Sequence, residues 1–198
     1  MSARNEVLIR GKKFDARIEA RKRDLASLDD PELFAGRHLV TASALLDLVS
    51  ESWLRTLATR CSEIRGVALF SITYNGQSAS SPAEPEDEAV LELFNQHQHR
   101  DKGLGGPAAG PNAFEVASRC FAEVGYEVNA EASDWLLGPD QGELQRHLIE
   151  GWASAAAEIS PSDKEWIEDW RRRRIQHVEA GRSRTVVGHD DLAAWLPE

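Results

Sequence analysis

The sequence predicts an α/β fold whose sheet contains a parallel crossover unit, and three observations carry that prediction. A strand pattern at 38–41, a helical pattern ending near Cys61 and a second strand pattern at 66–74 follow one another in the order of a parallel crossover unit. The run from Gly66 to Tyr74 is continuously β-favouring, as expected of a central strand covered on both faces. A helix, Gly125, a strand at 126–132 and a returning strand after 183 bring the expected total to about five strands.

The chain has 198 residues, 41% of them apolar and 28% charged, with six Trp. Length over ~150 gives about one domain, here 1–198, with enough apolar surface to bury a core. No apolar stretch approaches the ~18 residues of a membrane span. The first residues carry Glu6, Asp15 and Glu19, so they read as neither a signal nor a transit peptide. Cys61 and Cys120 each sit alone in a helix-like segment, which excludes a zinc ribbon or disulfide scaffold and implies reduced thiols in a cytoplasm.

The net charge of -10 is uneven. Residues 1–23 hold eight Lys/Arg against three acids, or +5, leaving -15 on the remainder. An acidic body repels phosphate backbones, so nucleic acid is not an expected partner, and the basic segment reads as solvated.

Along the chain, 16–21 alternates small or apolar residues with charge and is read as an edge strand of the sheet, ending at Asp24-Leu25. Residues 28–36 form a short acidic connection between Pro31 and Gly36, leading to a buried strand at 38–41. From Ser43 the period becomes helical, with Leu46, Val49, Trp53 and Leu57 on one face and Ser50 as N-cap. Asn75-Gly76 reads as a turn, 77–87 as a polar loop, 88–99 as a helix, 101–112 as a glycine-rich loop and 113–124 as an amphipathic helix. Two stripes follow, Leu144 to Ile159 and Trp166 to Val178, the second opened by a Ser162–Glu165 capping box. They predict a helical hairpin at 142–181, inserted before a final strand at 183–196. The sheet and its crossover helices would occupy 16–137.

Asp24-Leu25 at a strand end, the string LVTASALLDLVS at 39–50, a buried strand, a helix, Gly125-Tyr126 and two final strands together resemble the second half of a class I S-adenosylmethionine-dependent methyltransferase. The resemblance covers roughly 16–198. It implies a Rossmann-like, methyltransferase-type sheet, N-terminally shortened, whose last two strands are antiparallel. By the same resemblance S-adenosyl-L-methionine would be the cofactor, with Asp24 and Leu25 near its adenine and Thr41, Ala42 and Ser43 lining its methionine and adenosine portion. Ligands do bind outside the carboxyl ends of strands in open parallel sheets. Asp24 equally suits an N-cap for the segment after it, and Thr41 and Ser43 suit caps of the following helix.

Two departures stand out. The glycine-rich turn of motif I, with its following acidic residue, does not precede Asp24, where Gly11 stands alone. His38 occupies a position where such relatives carry an acid.

Of the remaining candidates, Gly103 to Gly110 follows a helix instead of a strand and contains Pro107, so it reads as a loop over the site and not a phosphate cradle. His97 and His99 are two residues apart, a poor metal pair on a helix, and no metal site is expected. His99 and Asp101 are the candidate proton acceptors, facing a substrate. In a strand, His189, Asp190 and Asp191 cannot all line one pocket; they position a substrate or end the strand. Arg171 to Arg174 follow acids on one helix, an order that complements the helix dipole. Trp152, Trp166 and Trp170 pack the hairpin or floor a pocket beneath it.

The resemblance thus implies a methyltransferase acting on an unidentified small acceptor, cofactor-deficient as a lone chain. The alternative is a non-catalytic methyltransferase-like module that pairs with another chain or self-associates. Its motivation is the strand at 38–41, whose edge would be open unless 5–23 cover it.

Overall fold

The computed structural model describes residues 5–198. Its strands are β1 (Asn5–Arg10), β2 (Asp15–Ala20), β3 (Leu39–Ser43), β4 (Val67–Ser81), β5 (Glu127–Ala132), β6 (Trp135–Leu137) and β7 (Arg184–Trp195). Its helices are α1 (Glu51–Glu63), α2 (Asp87–Gln98), α3 (Ala113–Glu123), α4 (Gly142–Ile159) and α5 (Lys164–Glu179). The fold is mixed α/β. Five strands form one sheet in the order β3-β4-β7-β5, with β6 also paired to β7; β3 and β4 are parallel, and every β7 pairing is antiparallel.

The five strands are not all the expected ones. The alternating segment at 16–21 does form a strand, but β2 pairs with β1 in a separate two-stranded ribbon instead of edging the sheet. A tight turn explains this: the Gly11 N–H donates to the Phe14 carbonyl at 2.9 Å and folds 5–10 directly back on 15–20. The fifth sheet strand is β6, which follows β5 after two residues and pairs with the same β7.

Asn75-Gly76 is not a turn, and much of the expected polar loop is strand. β4 runs on to Ser81 because its serines complete a polar ladder with β7: Ser78 Oγ donates to the Val186 carbonyl at 2.9 Å, and Ser80 Oγ lies 3.2 Å from Thr185 Oγ1. Gly76, at φ +84°, takes up a register shift inside the strand.

The other shift decides the architecture. Phe70 pairs with Leu192 and Tyr74 with His189, so β4 spends four residues where β7 spends three. Strand side chains alternate, so the extra residue exchanges the faces of β4. Ala68 and Phe70 pack with Leu192 and Ala194 in a core that also holds Leu54, Leu57 and Cys61 of α1 and Ala117 and Phe121 of α3. Tyr74 packs with Val187 in a second core holding Val90 of α2, Ile149 and Trp152 of α4, and Ile167 and Trp170 of α5. One sheet is therefore covered by α1 and α3 on one face and by α2, α4 and α5 on the other.

Ile72 carries the distortion at φ +57°, costly for a β-branched residue. Its N–H donates to Asp191 Oδ1 at 2.9 Å, and the same oxygen accepts from Ser133 Oγ at 2.6 Å.

Helix boundaries follow local chemistry. The helical period beginning at Ser43 divides: 46–48 is a single 3-10 turn, and α1 starts only after Ser50, whose Oγ accepts from the Trp53 N–H at 3.2 Å. The Ser162–Glu165 capping box is absent, because Asp163 is the N-cap residue and its carboxylate instead accepts from Ser160 Oγ. The arginine run is more than a dipole complement. Arg174 is 1% exposed; its guanidinium grips both oxygens of Asp87 and donates to the Pro82 carbonyl at 2.6 Å, while Trp170 Nε1 donates to Asp87 Oδ1 at 2.8 Å. Arg173 reaches Glu84 and Glu86. These bonds clamp the hairpin to the start of α2.

Two expected outcomes follow. Asp191→Ala strands the Ile72 and Ser133 donors and lowers unfolding free energy by roughly 1–3 kcal/mol in denaturant titration, with Asp191→Asn losing less. Arg174→Leu leaves Asp87 without its main partner and costs about 3 kcal/mol by the same measurement.

Candidate functional site

The face exchange at Ile72 turns Tyr74 toward the α2 side, where His189 of the regularly alternating β7 also points, near the carboxyl ends of the parallel pair β3 and β4. His189 is buried between two rings, 4.9 Å from Trp135 and 6.2 Å from Tyr74 by centroid. Its backbone N–H donates to Asp134 Oδ1 at 3.1 Å. Its Nδ1 is buried without a hydrogen-bond partner, which is rare for so polar an atom. Burial pushes the imidazole below the ordinary histidine range, against the opposing pull of the Val187 backbone and of Asp47, Asp134 and Asp191.

Asp47 lies in the 3-10 turn after β3 and is half-buried. Burial raises its carboxyl above the usual range, opposed by its own backbone N–H and by His189 and Lys102. Burial and the nearby Asp47 charge both raise the Tyr74 phenol. Tyr74 therefore stays protonated and donates to Asn95 Oδ1 at 2.8 Å, and Asn95 Nδ2 donates to the Gly76 carbonyl at 2.9 Å. The result is a neutral imidazole, an oriented phenol and a carboxyl group in one partly desolvated cluster, with Lys102 at its margin. Such a set can accept a proton from a small molecule and orient it. Two roomy surface grooves, about 780 Å³ along the outer face of α1 and about 680 Å³ between α4 and α5, contain none of these residues.

The residues singled out in the sequence are placed as follows. Thr41 and Ser43 are exposed on β3, with Ala42 turned toward the α1 core. Asp24 is exposed, and its Oδ1 accepts from the Ala26 N–H at 2.9 Å, a local turn. The Leu25 carbonyl accepts from Trp53 Nε1 at 2.7 Å. His99 and Asp101 flank the end of α2: His99 Nδ1 lies 3.2 Å from the Ala108 carbonyl and Asp101 Oδ1 accepts from the Gly103 N–H at 2.7 Å, so both hold the shape of the 99–110 loop. The glycine loop itself lies against α1, where Ser52 Oγ donates to the Gly105 carbonyl at 3.2 Å. The structure thus brings together Asp47, Tyr74 and His189. Of these, the sequence offers His189 a substrate-positioning role only as one of two alternatives for the 189–191 group, while Tyr74 reads as plain strand and Asp47 is not a site candidate. The signal that was legible is an imidazole in the middle of a strand, next to Gly188 and two aspartates.

Among the described residues no group of His, Cys, Asp or Glu has the arrangement of a metal site, and no helix is long and apolar enough to cross a membrane. Cys61 and Cys120 are buried and unpaired, and burial pushes the Cys61 thiol up to about 12.

No family model and no curated protein matches the sequence. Among solved structures, the chain is similar to the cyclopropane synthase MmaA2 from Mycobacterium tuberculosis, with 15% identity, a TM-score of 0.34, and coverage of 82% of this chain and 57% of that one. It is also similar to phosphoethanolamine N-methyltransferase 2 of Haemonchus contortus in complex with phosphomonomethylethanolamine and S-adenosylhomocysteine (14%, 0.32, 81% and 34%). A third similar structure is the [4+2]-cyclase SpnF (13%, 0.32, 88% and 55%). The chain spans less than two thirds of the length of each.

The desolvated imidazole generates a pH prediction. Folding lowers the proton affinity of His189, so its contribution to stability is complete above the ordinary value of 6.5 and is lost as pH falls below it. An imidazole NMR titration gives a midpoint below 6.5. The fall in Tm between about pH 7.5 and about pH 5.5 is smaller in His189→Gln than in the unsubstituted chain.

Proposed function

We propose that this chain is a methyltransferase-type α/β protein whose His189, Tyr74 and Asp47 cluster receives a small-molecule acceptor, with S-adenosyl-L-methionine as methyl donor. The observation that carries the reading is the buried, unpartnered Nδ1 of His189 beside the carboxyl ends of β3 and β4, where open α/β sheets bind ligands. Neutral His189 takes the proton that an oxygen or nitrogen acceptor sheds, Tyr74 orients the acceptor, and Asp47 stabilises the charge that results. His99 and Asp101, in the loop beyond α2, are proposed to face the acceptor as well.

For the donor, the exposed hydroxyls of Thr41 and Ser43 and the small Ala42 suit one side of an adenosyl group, with Asp24 and Leu25 proposed at its adenine. The remainder does not fit. Gly11 turns the β1-β2 ribbon instead of following a sheet strand, Asp24 already accepts from the Ala26 N–H, and the Leu25 carbonyl already accepts from Trp53 Nε1. The described residues supply one wall of a donor site and do not close around such a cofactor.

A second reading has its own support. β3 pairs with β4 alone, and its other edge has no neighbour among the described strands. Open edges attract partners, so the chain is also proposed to work in association with another polypeptide.

Calorimetric titration with S-adenosylhomocysteine tests the first reading. Saturable binding in the millimolar range or tighter, weakened about tenfold, or roughly 1.4 kcal/mol, by Ser43→Trp, is the expected result. No heat at millimolar ligand contradicts a donor site and leaves the association reading in place.

A further inference from the structure

Two apolar surfaces of this chain lie bare. On β3 and β4, Val40, Ala42, Ala68 and Phe70 face the α1 core, so Leu39, Val67 and Leu69 point to the opposite side, where Leu39 pairs beside Val67. That side is covered by α2, α4 and α5 only farther along the sheet. Leu39 is 52% exposed and Val67 and Leu69 are each 43% exposed, with Trp195 at 38% ending the same face of β7. Contiguous exposed apolar patches mark interaction sites.

The second surface is the ribbon. Val7 pairs with Ile18 and Ile9 with Ala16, so these residues share one face. Val7, Ile9 and Ile18 are 54%, 46% and 48% exposed. A two-stranded ribbon is marginal in water unless its apolar face is covered. Its charge is complementary to the rest of the molecule: residues 1–23 carry +5 and the remainder -15.

We infer that the ribbon of one copy packs its Val7, Ile9 and Ile18 face on the bare Leu39, Val67 and Leu69 face of a second copy, and that the exchange is reciprocal. The inference rests on the reading that β3 works with a partner, and it names that partner. Two self-complementary patches on one chain are what a two-fold dimer requires. The tether is anchored at the body, because Leu28 and Phe34 are core residues and Leu25 is held by Trp53, while the ribbon before them projects. Basic ribbon on acidic body also predicts weakening by salt.

Light scattering after size exclusion measures the mass, and a pair of cysteine variants identifies the surfaces. The expected mass is twice 22.0 kDa, reverting to 22.0 kDa in Val7→Asp/Ile18→Asp with unchanged circular dichroism. An equimolar mixture of Ile18→Cys and Leu69→Cys chains is expected to form an interchain disulfide on mild oxidation, a readout that survives any misfolding of the aspartate variant. A monomer of the unsubstituted chain overturns both the dimer and the self-association form of the partner reading. A dimer that resists the aspartates and yields no crosslink overturns the ribbon exchange alone, leaving pairing through another surface. A disulfide within a single chain carrying both cysteines, without dimer, assigns the ribbon to its own body and also overturns the exchange.

Discussion

One extra residue in β4 organises this molecule, and the Asp191 carboxylate holds it in place. Without that residue, the alternation beginning at Ala68 and Phe70 would carry through and direct Tyr74 into the core under α1 and α3. With it, Tyr74 joins Val187 and Trp152 on the opposite face. The left-handed backbone at Ile72 is unfavourable, and the displaced amide would lose its ladder partner. Asp191 supplies the substitute acceptor and ties the same point to Ser133 before β6. A single carboxylate thus links the central strand, the last strand and the segment carrying Trp135, whose ring packs at a tilt against His189. Bulges recur beside functional sites because they re-aim side chains in this manner.

The same arrangement explains why the second core needs charge to close it. α4 and α5 reach the sheet through Trp152 and Trp170, but their position is set by Arg174 on Asp87 and by Arg173 on Glu84 and Glu86. His177 adds a contact to Glu84 at 2.7 Å and Trp170 Nε1 donates to Asp87 Oδ1 at 2.8 Å, so three successive turns of α5 are fixed to the β4–α2 connection. That clamp holds α2 in place, and α2 carries Asn95, the acceptor for Tyr74.

Much of the fold was legible because it depends on local pattern. The parallel unit of β3, α1 and β4, the helix before Gly125, and the hairpin at 142–181 all follow from periodicity and glycine placement. What escaped depends on pairings between distant residues. A period-two segment such as 16–21 specifies a strand but not its partner, and only the turn at Gly11 chose the ribbon. Ser78 and Ser80 look like loop residues until β7 lies beside them. The site was partly legible for the same reason. Alternation separated His189 from Asp190, but whether Tyr74 shares the face of His189 depends on an inserted residue at Ile72, to which no sequence signal points. Thr41, Ala42 and Ser43 stand at the strand end expected of them. His99 and Asp101 lie in the loop beyond α2, with His99 Nδ1 and Asp101 Oδ1 in contact with loop backbone.

The cluster and the second core both depend on the face exchange at Ile72. Aromatic NOE spectroscopy reads it directly. Cross-peaks from the Tyr74 ring to His189 and Phe94 are expected, together with cross-peaks from Phe70 to Phe121. Cross-peaks from Tyr74 to Phe121, with none to His189, would contradict the exchange.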